Sequence, residues 1–223
     1  MKILVDNIII NYEIIGEGDK NIVILHGWGR SLNEWVYIAR EIPGYKFFIL
    51  DLPGFGLSEE PQNAIDIFEY SEIILKFLNK LMVSDYSIIG HSFGGRIGTI
   101  LASSNDTKIK KLILVDSGGI EIKSLKIKLL IILSKILNPI KYFLPKKILR
   151  NFGSSDYKNI TGVLRNIFIK TINQDLRFLF PKIKIPVVVI WGSDDTVLPV
   201  DYVKIYHSII KNVSIRIVWE ANH

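Results

Sequence analysis

Short apolar runs alternate with longer helical patterns along most of the chain, and this alternation limits the fold more than any other feature. Six runs have the length and composition of buried strands. They are Ile22 to Leu25, Phe47 to Asp51, Ser87 to Ile89, Leu112 to Asp116, Val187 to Trp191 and Ile215 to Trp219. Two shorter runs, Ile8 to Ile10 and Ile14 to Ile15, flank an early antiparallel pair.

Helical patterns lie between the predicted strands. From Ile67 to Leu81, apolar residues recur at three-and-four spacing and give one apolar face. Two more helices are predicted at Phe93 to Ser104 and at Val200 to Lys211. Because strand, helix and strand repeat in this order, we expect an α/β fold with a mostly parallel sheet covered on both faces.

Residues 121–185 break this alternation. A helical stripe of Leu125, Leu129, Ile132 and Ile136 is followed by a second helical stretch at about Gly162 to Ile172. This segment holds fourteen Lys or Arg against three acidic residues, whereas the rest of the chain holds fourteen basic and nineteen acidic residues. We therefore predict a basic helical insertion, residues 121–185, in a core formed by residues 1–120 and 186–223.

Composition excludes several classes of protein. The 223 residues are 48% hydrophobic and 22% charged, which predicts a folded domain rather than a disordered chain. There are no cysteines, so disulfides, thiolate metal sites and a cysteine nucleophile are excluded. Asp6 and Asn7 interrupt the apolar N-terminal residues, so a leader peptide is not expected, and apolar runs such as Leu129 to Leu133 are far shorter than the ~20 residues of a membrane span. A cytoplasmic location is expected.

Gly90-His91-Ser92-Phe93-Gly94 lies between a predicted strand and a predicted helix. In that context Gly-x-Ser-x-Gly indicates a nucleophile elbow, a strained turn that exposes the serine hydroxyl. The Phe93 N–H lies at the start of the helix, where an unpaired donor can stabilise an oxyanion. His26-Gly27-Trp28-Gly29 follows another strand, and its Trp28 N–H is the expected second donor.

A serine nucleophile needs a histidine base, and the chain has four histidines. We expect the His26 ring to fasten its own turn and the His91 side chain to point away from Ser92. His207 falls on the apolar face of a predicted helix, where a packed core histidine is expected. His223, just after the last strand, is therefore the predicted base.

The base in turn needs an orienting carboxylate. Trp191-Gly192-Ser193-Asp194-Asp195 ends a strand at the same sheet edge as the serine. Of the two carboxylates we prefer Asp195 to Asp194. Asp116 remains an alternative, because its strand ends at that edge too.

These motifs carry a resemblance to the α/β-hydrolase superfamily that runs over nearly the whole chain. The stretch Asp51 to Ser58 is similar to that family's turn after its fourth strand, and Trp191 to Pro199 is similar to its acid loop. Residues 121–185 stand where these enzymes carry a helical cap. Within the superfamily, the turn after His26 and the Asp51 turn are most similar to small carboxylesterases such as the pimeloyl carrier-protein methyl ester esterases.

The resemblance implies a serine hydrolase that cleaves an ester or a related acyl compound without a cofactor or metal. Its residues would be Ser92, His223 and Asp195, with the backbone N–H groups of Trp28 and Phe93. The expected partners are a small acyl substrate and, through the basic cap, an acidic carrier protein. Nucleic acid is not an expected partner, since a solvated Lys-rich surface explains the charge.

Two alternatives remain at this point. One is a hydrolase-like binding or receptor protein that keeps the pocket without turnover, and the other is a C–C bond hydrolase or lactonase of the same fold. Family members continue for about twenty or more residues beyond the histidine as a last helix. The resemblance therefore leads us to expect that this final helix is absent from the chain, so that either the sequence is truncated or that face of the sheet is covered otherwise.

Overall fold

The computed structural model describes residues 1–120, 161–172 and 174–223. Within these residues eight strands form one sheet. They are β1 (Lys2–Val5), β2 (Ile8–Ile15), β3 (Lys20–Leu25), β4 (Tyr45–Leu50), β5 (Tyr86–His91), β6 (Ile109–Val115), β7 (Val187–Gly192) and β8 (Val213–Val218). Their order across the sheet is β1-β2-β4-β3-β5-β6-β7-β8.

The sheet is antiparallel at one side and parallel elsewhere. β1 and β2 form a hairpin in which Val5 pairs with Ile8, and Asp6 and Asn7 make the turn with φ angles of 47° and 63°. Two central residues with positive φ are typical of a tight hairpin turn. Both early apolar runs lie in the single strand β2, so they do not pair with each other. The antiparallel partners of β2 are β1 on one side and β4 on the other.

From β4 to β8 every neighbouring pair is parallel, and the six predicted strands are confirmed with small changes at their ends. The carboxyl ends of these strands therefore meet at one edge of the sheet. The fold class predicted from the sequence, a mostly parallel α/β sheet, is confirmed by this arrangement.

Five α-helices and a short 3₁₀ helix occur in the described residues. They are α1 (Asn33–Arg40), α2 (Ile67–Lys80), α3 (Phe93–Ser103), α4 (Gly162–Ile172), the 3₁₀ helix (Arg177–Lys182) and α5 (Tyr202–Ile209). Sequence analysis missed only α1 among the α-helices. None of the helices in these ranges is long and apolar enough to cross a membrane.

The helices cover both faces of the sheet. Ile22 and Ile24 of β3 pack with α1 in one apolar cluster, while Val23 and Leu25 belong to a larger cluster that includes α2 and α3. This division follows from the two-residue period of a strand, which turns successive side chains to opposite faces. It explains why the strands are continuous apolar runs.

The packing of α5 corrects one prediction. Val203, Tyr206 and Ile210 are buried, whereas His207 is exposed. The inward stripe passes through positions 203, 206 and 210, so residue 207 is rotated about 100° beyond Tyr206 toward solvent. His207 is therefore a surface histidine and not a core residue.

The predicted cap is described only in part. α4 confirms the second helical stretch of that segment. Residues 121–160 lie outside the described residues, and with them the stripe from Leu125 to Ile136. The boundaries of the cap, 121 and 185, stay predictions.

Candidate active site

Ser92 lies between the end of β5 and the first residue of α3. Its φ of 48° and ψ of −106° depart from the usual regions for a residue with a side chain. Such a conformation costs about 1–3 kcal/mol and persists only where the surroundings enforce it. Here the Ser92 N–H donates to the Val115 carbonyl at 2.9 Å, and the Ser92 carbonyl accepts from Gly95 and Gly118 at 3.2 Å each.

The flanking glycines are required by close approach of the backbone. A Cβ at Gly94 would lie 2.1 Å from the Leu25 carbonyl oxygen, and one at Gly90 would lie 2.6 Å from the Gly94 carbonyl oxygen. Contacts this short exclude any side chain. The turn is therefore pressed against the end of β3, which carries the His26 turn.

His223 joins Ser92 to Asp195. The His223 Nε2 atom is 3.0 Å from Ser92 Oγ, and its Nδ1 atom is 2.7 Å from Asp195 Oδ2. Because a carboxylate accepts hydrogen bonds, Nδ1 is the protonated nitrogen and Nε2 is free to accept the hydroxyl proton. The structure brings together the three side chains that the sequence singled out.

Asp195 is held by its own loop. Its Oδ1 atom accepts from the Val197 N–H at 2.7 Å and from the Leu198 N–H at 2.8 Å, and the residue is only 8% exposed. One carboxylate oxygen is thus committed to the backbone and the other to His223. The backbone of the loop thus orients the acid toward His223.

The segment after β8 carries His223 back over the end of β7. The Asp194 N–H donates to the Ala221 carbonyl at 2.9 Å, and the Glu220 N–H donates to Ser193 Oγ at 2.9 Å. A Cβ at Gly192 would lie 2.4 Å from the Ala221 oxygen, so this crossing depends on a glycine. The acid loop and the histidine segment are therefore fixed to one another.

The other two carboxylates are placed differently. Asp194 is exposed and accepts from Ser193 Oγ at 2.7 Å. Asp116 is buried, and its Oδ1 atom accepts from the Gly192 N–H at 2.9 Å. Burial raises the pKa of Asp116. Of the three candidates, Asp195 makes the hydrogen bond to His223.

The sequence led us to expect that the His91 side chain points away from Ser92. That expectation is wrong, because the His91 ring lies beside His223. Its ring centroid is 5.1 Å from that of His223 and 6.5 Å from that of Trp35. Burial lowers the pKa of His91 to about 4, and the positive charges that His223 and Arg30 can carry act in the same direction. His91 is therefore neutral at pH 7 and adds no charge beside His223.

His91, Asp116 and His223 are also the kind of side chains that bind metals. One ligand atom from each lies within 4.8 Å of the others. Both ring nitrogens of His223 are already hydrogen-bonded, to Asp195 and to Ser92. A metal ion would have to displace one of those bonds, so we assign these residues to the Ser92 site rather than to a metal centre.

The two expected oxyanion donors lie in turns that are fastened to each other. The Gly94 N–H of α3 donates to the His26 carbonyl at 3.1 Å. Among the backbone hydrogen bonds found in the described ranges, none starts at the N–H of Trp28 or of Phe93. Both donors are thus available to a ligand.

The His26 ring fastens its turn, as expected. Its Nε2 atom accepts from the Leu52 N–H at 2.9 Å, so Nδ1 carries the proton that is donated to the Gly27 carbonyl at 2.7 Å. Burial lowers the pKa of His26, which keeps the ring neutral. The backbone of the turn, and not this side chain, faces the site.

Asp51 is a part of the site that sequence reasoning did not assign. It is 1% exposed, and its oxygens accept from the Leu32 N–H at 2.8 Å, the Leu57 N–H at 2.9 Å and Asn11 Nδ2 at 2.8 Å. The Asp51 carboxylate thus joins the His26 turn to the Asp51 turn. An aspartate directly after a buried strand was the available signal.

Aromatic rings form a wall that starts at Phe93, the residue after Ser92. The Trp28 ring packs edge-on against Phe55 at 4.8 Å, Phe93 at 5.1 Å and Phe168 at 5.0 Å between centroids. Phe168 comes from α4, so the segment predicted to be a cap contributes to this wall. This wall is apolar, and an apolar lining suits a hydrocarbon group better than a charged one.

A model of the α/β-hydrolase fold family matches residues 20–138, slightly more than half of the chain. The chain belongs to this family. It is 30% identical to a pimeloyl-[acyl-carrier protein] methyl ester esterase of Wigglesworthia glossinidia brevipalpis over 241 residues, covering 95% of this chain and 90% of that protein. It is 27% identical to Lipase 1 of Psychrobacter immobilis over 224 residues, covering 91% of this chain and 70% of that protein.

Solved structures agree with this membership. The fold is similar to the crystal structure of a membrane phospholipase A, described as a bacterial virulence factor, with a TM-score of 0.79 and 25% identity. That likeness covers 100% of this chain and 79% of the other. The family resemblance drawn from the motifs is thereby confirmed.

Proposed function

We propose that the protein is a serine hydrolase that cleaves a carboxylic ester, or a related acyl compound, through an acyl-enzyme. The observation that carries this proposal is the chain of two hydrogen bonds from Ser92 through His223 to Asp195. The lipase and esterase relatives support the ester as the bond cleaved.

In the first half of the reaction Ser92 Oγ attacks the acyl carbonyl carbon while His223 Nε2 takes the hydroxyl proton. Asp195 stabilises the imidazolium that forms. The N–H groups of Trp28 and Phe93 bind the carbonyl oxygen as it becomes negative. Collapse of the tetrahedral intermediate breaks the ester bond, and the alcohol leaves with the proton from His223.

In the second half a water molecule replaces the alcohol. His223 takes a proton from the water, the resulting hydroxide attacks the acyl carbon, and the proton returns to Ser92 Oγ as the acid leaves. Apart from the substrate and this water molecule, the steps described use groups of this chain. The neutral His91 suits this cycle, because a second cation beside His223 would oppose formation of the imidazolium.

The aromatic wall supports an apolar acyl group. An acidic carrier protein is a partner we propose with it, on the basic composition of residues 121–185 and on the carrier-protein esterase relative. Clustered positive charge steers an acidic partner, and salt screens this steering. Hydrolysis of a carrier-bound ester should therefore fall with salt more steeply than hydrolysis of a small neutral ester.

Covalent labelling tests the central proposal. A fluorophosphonate probe should label the wild type at Ser92, and Ser92→Ala should abolish both labelling and hydrolysis of p-nitrophenyl esters. Ser208→Ala, at an exposed serine of α5, is the matched control and should keep both. Absence of labelling in the wild type would favour a binding protein instead. Labelling without ester hydrolysis, together with cleavage of a C–C bond substrate, would also overturn the proposal.

A further inference from the structure

Arg96 connects the helix that follows the serine with the helix of the cap segment. It lies one turn into α3 and is only 8% exposed. Its Nη1 atom donates to the Thr171 carbonyl at 3.0 Å and to the Gln174 carbonyl at 2.9 Å, and its Nη2 atom donates to the Ile172 carbonyl at 3.1 Å. All three acceptors lie at the end of α4 or just beyond it.

This arrangement satisfies two physical requirements at once. The last carbonyls of a helix have no partners within the helix and carry the negative end of its dipole, so a cation there is stabilising. A buried guanidinium needs several acceptors, and the planar fork of arginine reaches neighbouring carbonyls together. Lysine carries its donors on a single nitrogen and lacks the planar fork that here reaches three carbonyls from two nitrogens.

The contact matters because α4 carries part of the aromatic wall. Phe168 lies one turn before Thr171, is 9% exposed and packs against the Trp28 ring. Trp28 in turn packs against Phe93, the residue after Ser92. The helix α3 begins directly after the proposed nucleophile, Ser92. Through Arg96, α3 also holds the end of α4, the helix that carries Phe168.

The surroundings of Arg96 leave little freedom. A Cβ at Gly118 would lie 2.6 Å from Arg96 Nε and 3.3 Å from its Cζ atom. Any side chain at position 118 would thus push the guanidinium from its place while leaving its charge in the protein. This gives a second way to disturb the contact without deleting the arginine.

We propose that Arg96 is a positioning residue that sets the preference for longer apolar acyl chains by holding Phe168 in the aromatic wall. The inference rests on the proposed hydrolase function and deepens it. Arg96 acts through α4 and does not touch the reacting atoms. Because Phe168 is connected to Phe93 through Trp28, we expect a short acyl group on Ser92, such as acetate, to end before Phe168 and a longer chain to extend toward it.

The test compares kcat/KM for p-nitrophenyl octanoate and p-nitrophenyl acetate. In Arg96→Met and in Gly118→Ala the octanoate to acetate ratio should fall on the order of tenfold, chiefly through a higher KM for octanoate, since one hydrocarbon contact in a pocket discriminates by about that much. Phe168→Ala should give the same change. Lys170→Met removes an exposed contact between α4 and Ala64 and should leave the ratio as in the wild type.

An unchanged ratio in Gly118→Ala and Phe168→Ala would overturn the inference, even if Arg96→Met fails to fold. Equal losses on both esters would do the same, since they would assign Arg96 to stability alone. These outcomes differ from failure of the proposed function, in which the wild type itself neither hydrolyses the esters nor reacts with the fluorophosphonate.

Discussion

Replacing Asp195 by asparagine separates the charge of the orienting acid from its shape. In the wild type, Oδ1 accepts from the Val197 and Leu198 N–H groups and Oδ2 accepts from His223. The asparagine oxygen can keep both backbone bonds, so its NH₂ group must face His223 Nδ1. That arrangement forces the imidazole proton onto Nε2, which then cannot take the proton of Ser92.

The size of the effect follows from this geometry. Loss of the correct tautomer, with the other groups in place, lowers kcat on the order of 10⁴-fold in serine hydrolases with such a triad. This corresponds to about 5 kcal/mol in the activation free energy. Stability should change by only about 1 kcal/mol, because both backbone hydrogen bonds remain and the amide NH₂ group donates to His223 Nδ1 in place of the original bond.

The assay is steady-state hydrolysis of a p-nitrophenyl ester, with urea unfolding as the check on stability. Asp194→Asn is the matched control, since that exposed carboxylate contacts Ser193 and should matter little to kcat. A larger loss for Asp116→Asn than for Asp195→Asn would refute this reasoning and move the acid to the end of β6.

Three further predictions concern stability. Thr99 is fully buried and its hydroxyl has no hydrogen-bond partner in the part of the chain described, so Thr99→Val should raise the free energy of unfolding by about 1 kcal/mol in urea titrations; a decrease would contradict this. Asp51→Asn replaces an acceptor of two backbone N–H groups on different oxygens and should cost about 2–3 kcal/mol, whereas an unchanged urea midpoint would show that the amide is tolerated. The pKa of His91 is about 4 when folded against 6.5 in an unfolded chain, so the unfolded state binds this proton first and stability falls as pH drops from 6.5 to 4, by up to about 3 kcal/mol. His91→Gln should lose less stability over that range in denaturant titrations at stepped pH, and identical pH profiles would contradict the argument.

Much of the core fold could be predicted because parallel strands buried on both faces are continuous apolar runs. The elbow was predictable for a similar reason, since the glycines at 90 and 94 are demanded by local packing. The choice between Asp194 and Asp195 could not be derived, because it depends on how the loop to Leu198 closes. That closure is made by backbone N–H groups, which carry no sequence signal.

The position of the His91 side chain could not be predicted from the sequence. His91 shares the face of β5 that carries Ile89, on the α1 side, and the returning segment after β8 brings His223 over it. Nothing local to position 91 encodes that return. Arg96 does stand out in the sequence, because it is a single charge in the otherwise uncharged sequence of α3.

The hydrogen bond between Ser92 and His223 spans 131 positions of sequence, and His223 reaches it only after β8 has added to β7. Contacts so distant along a chain form late in folding. Closing a large loop costs conformational entropy, and the contacts offset that cost only once they have formed. Recovery of ester hydrolysis during refolding would therefore report only those molecules in which β8 has paired with β7. Circular dichroism, by contrast, registers helices and strands wherever they have formed.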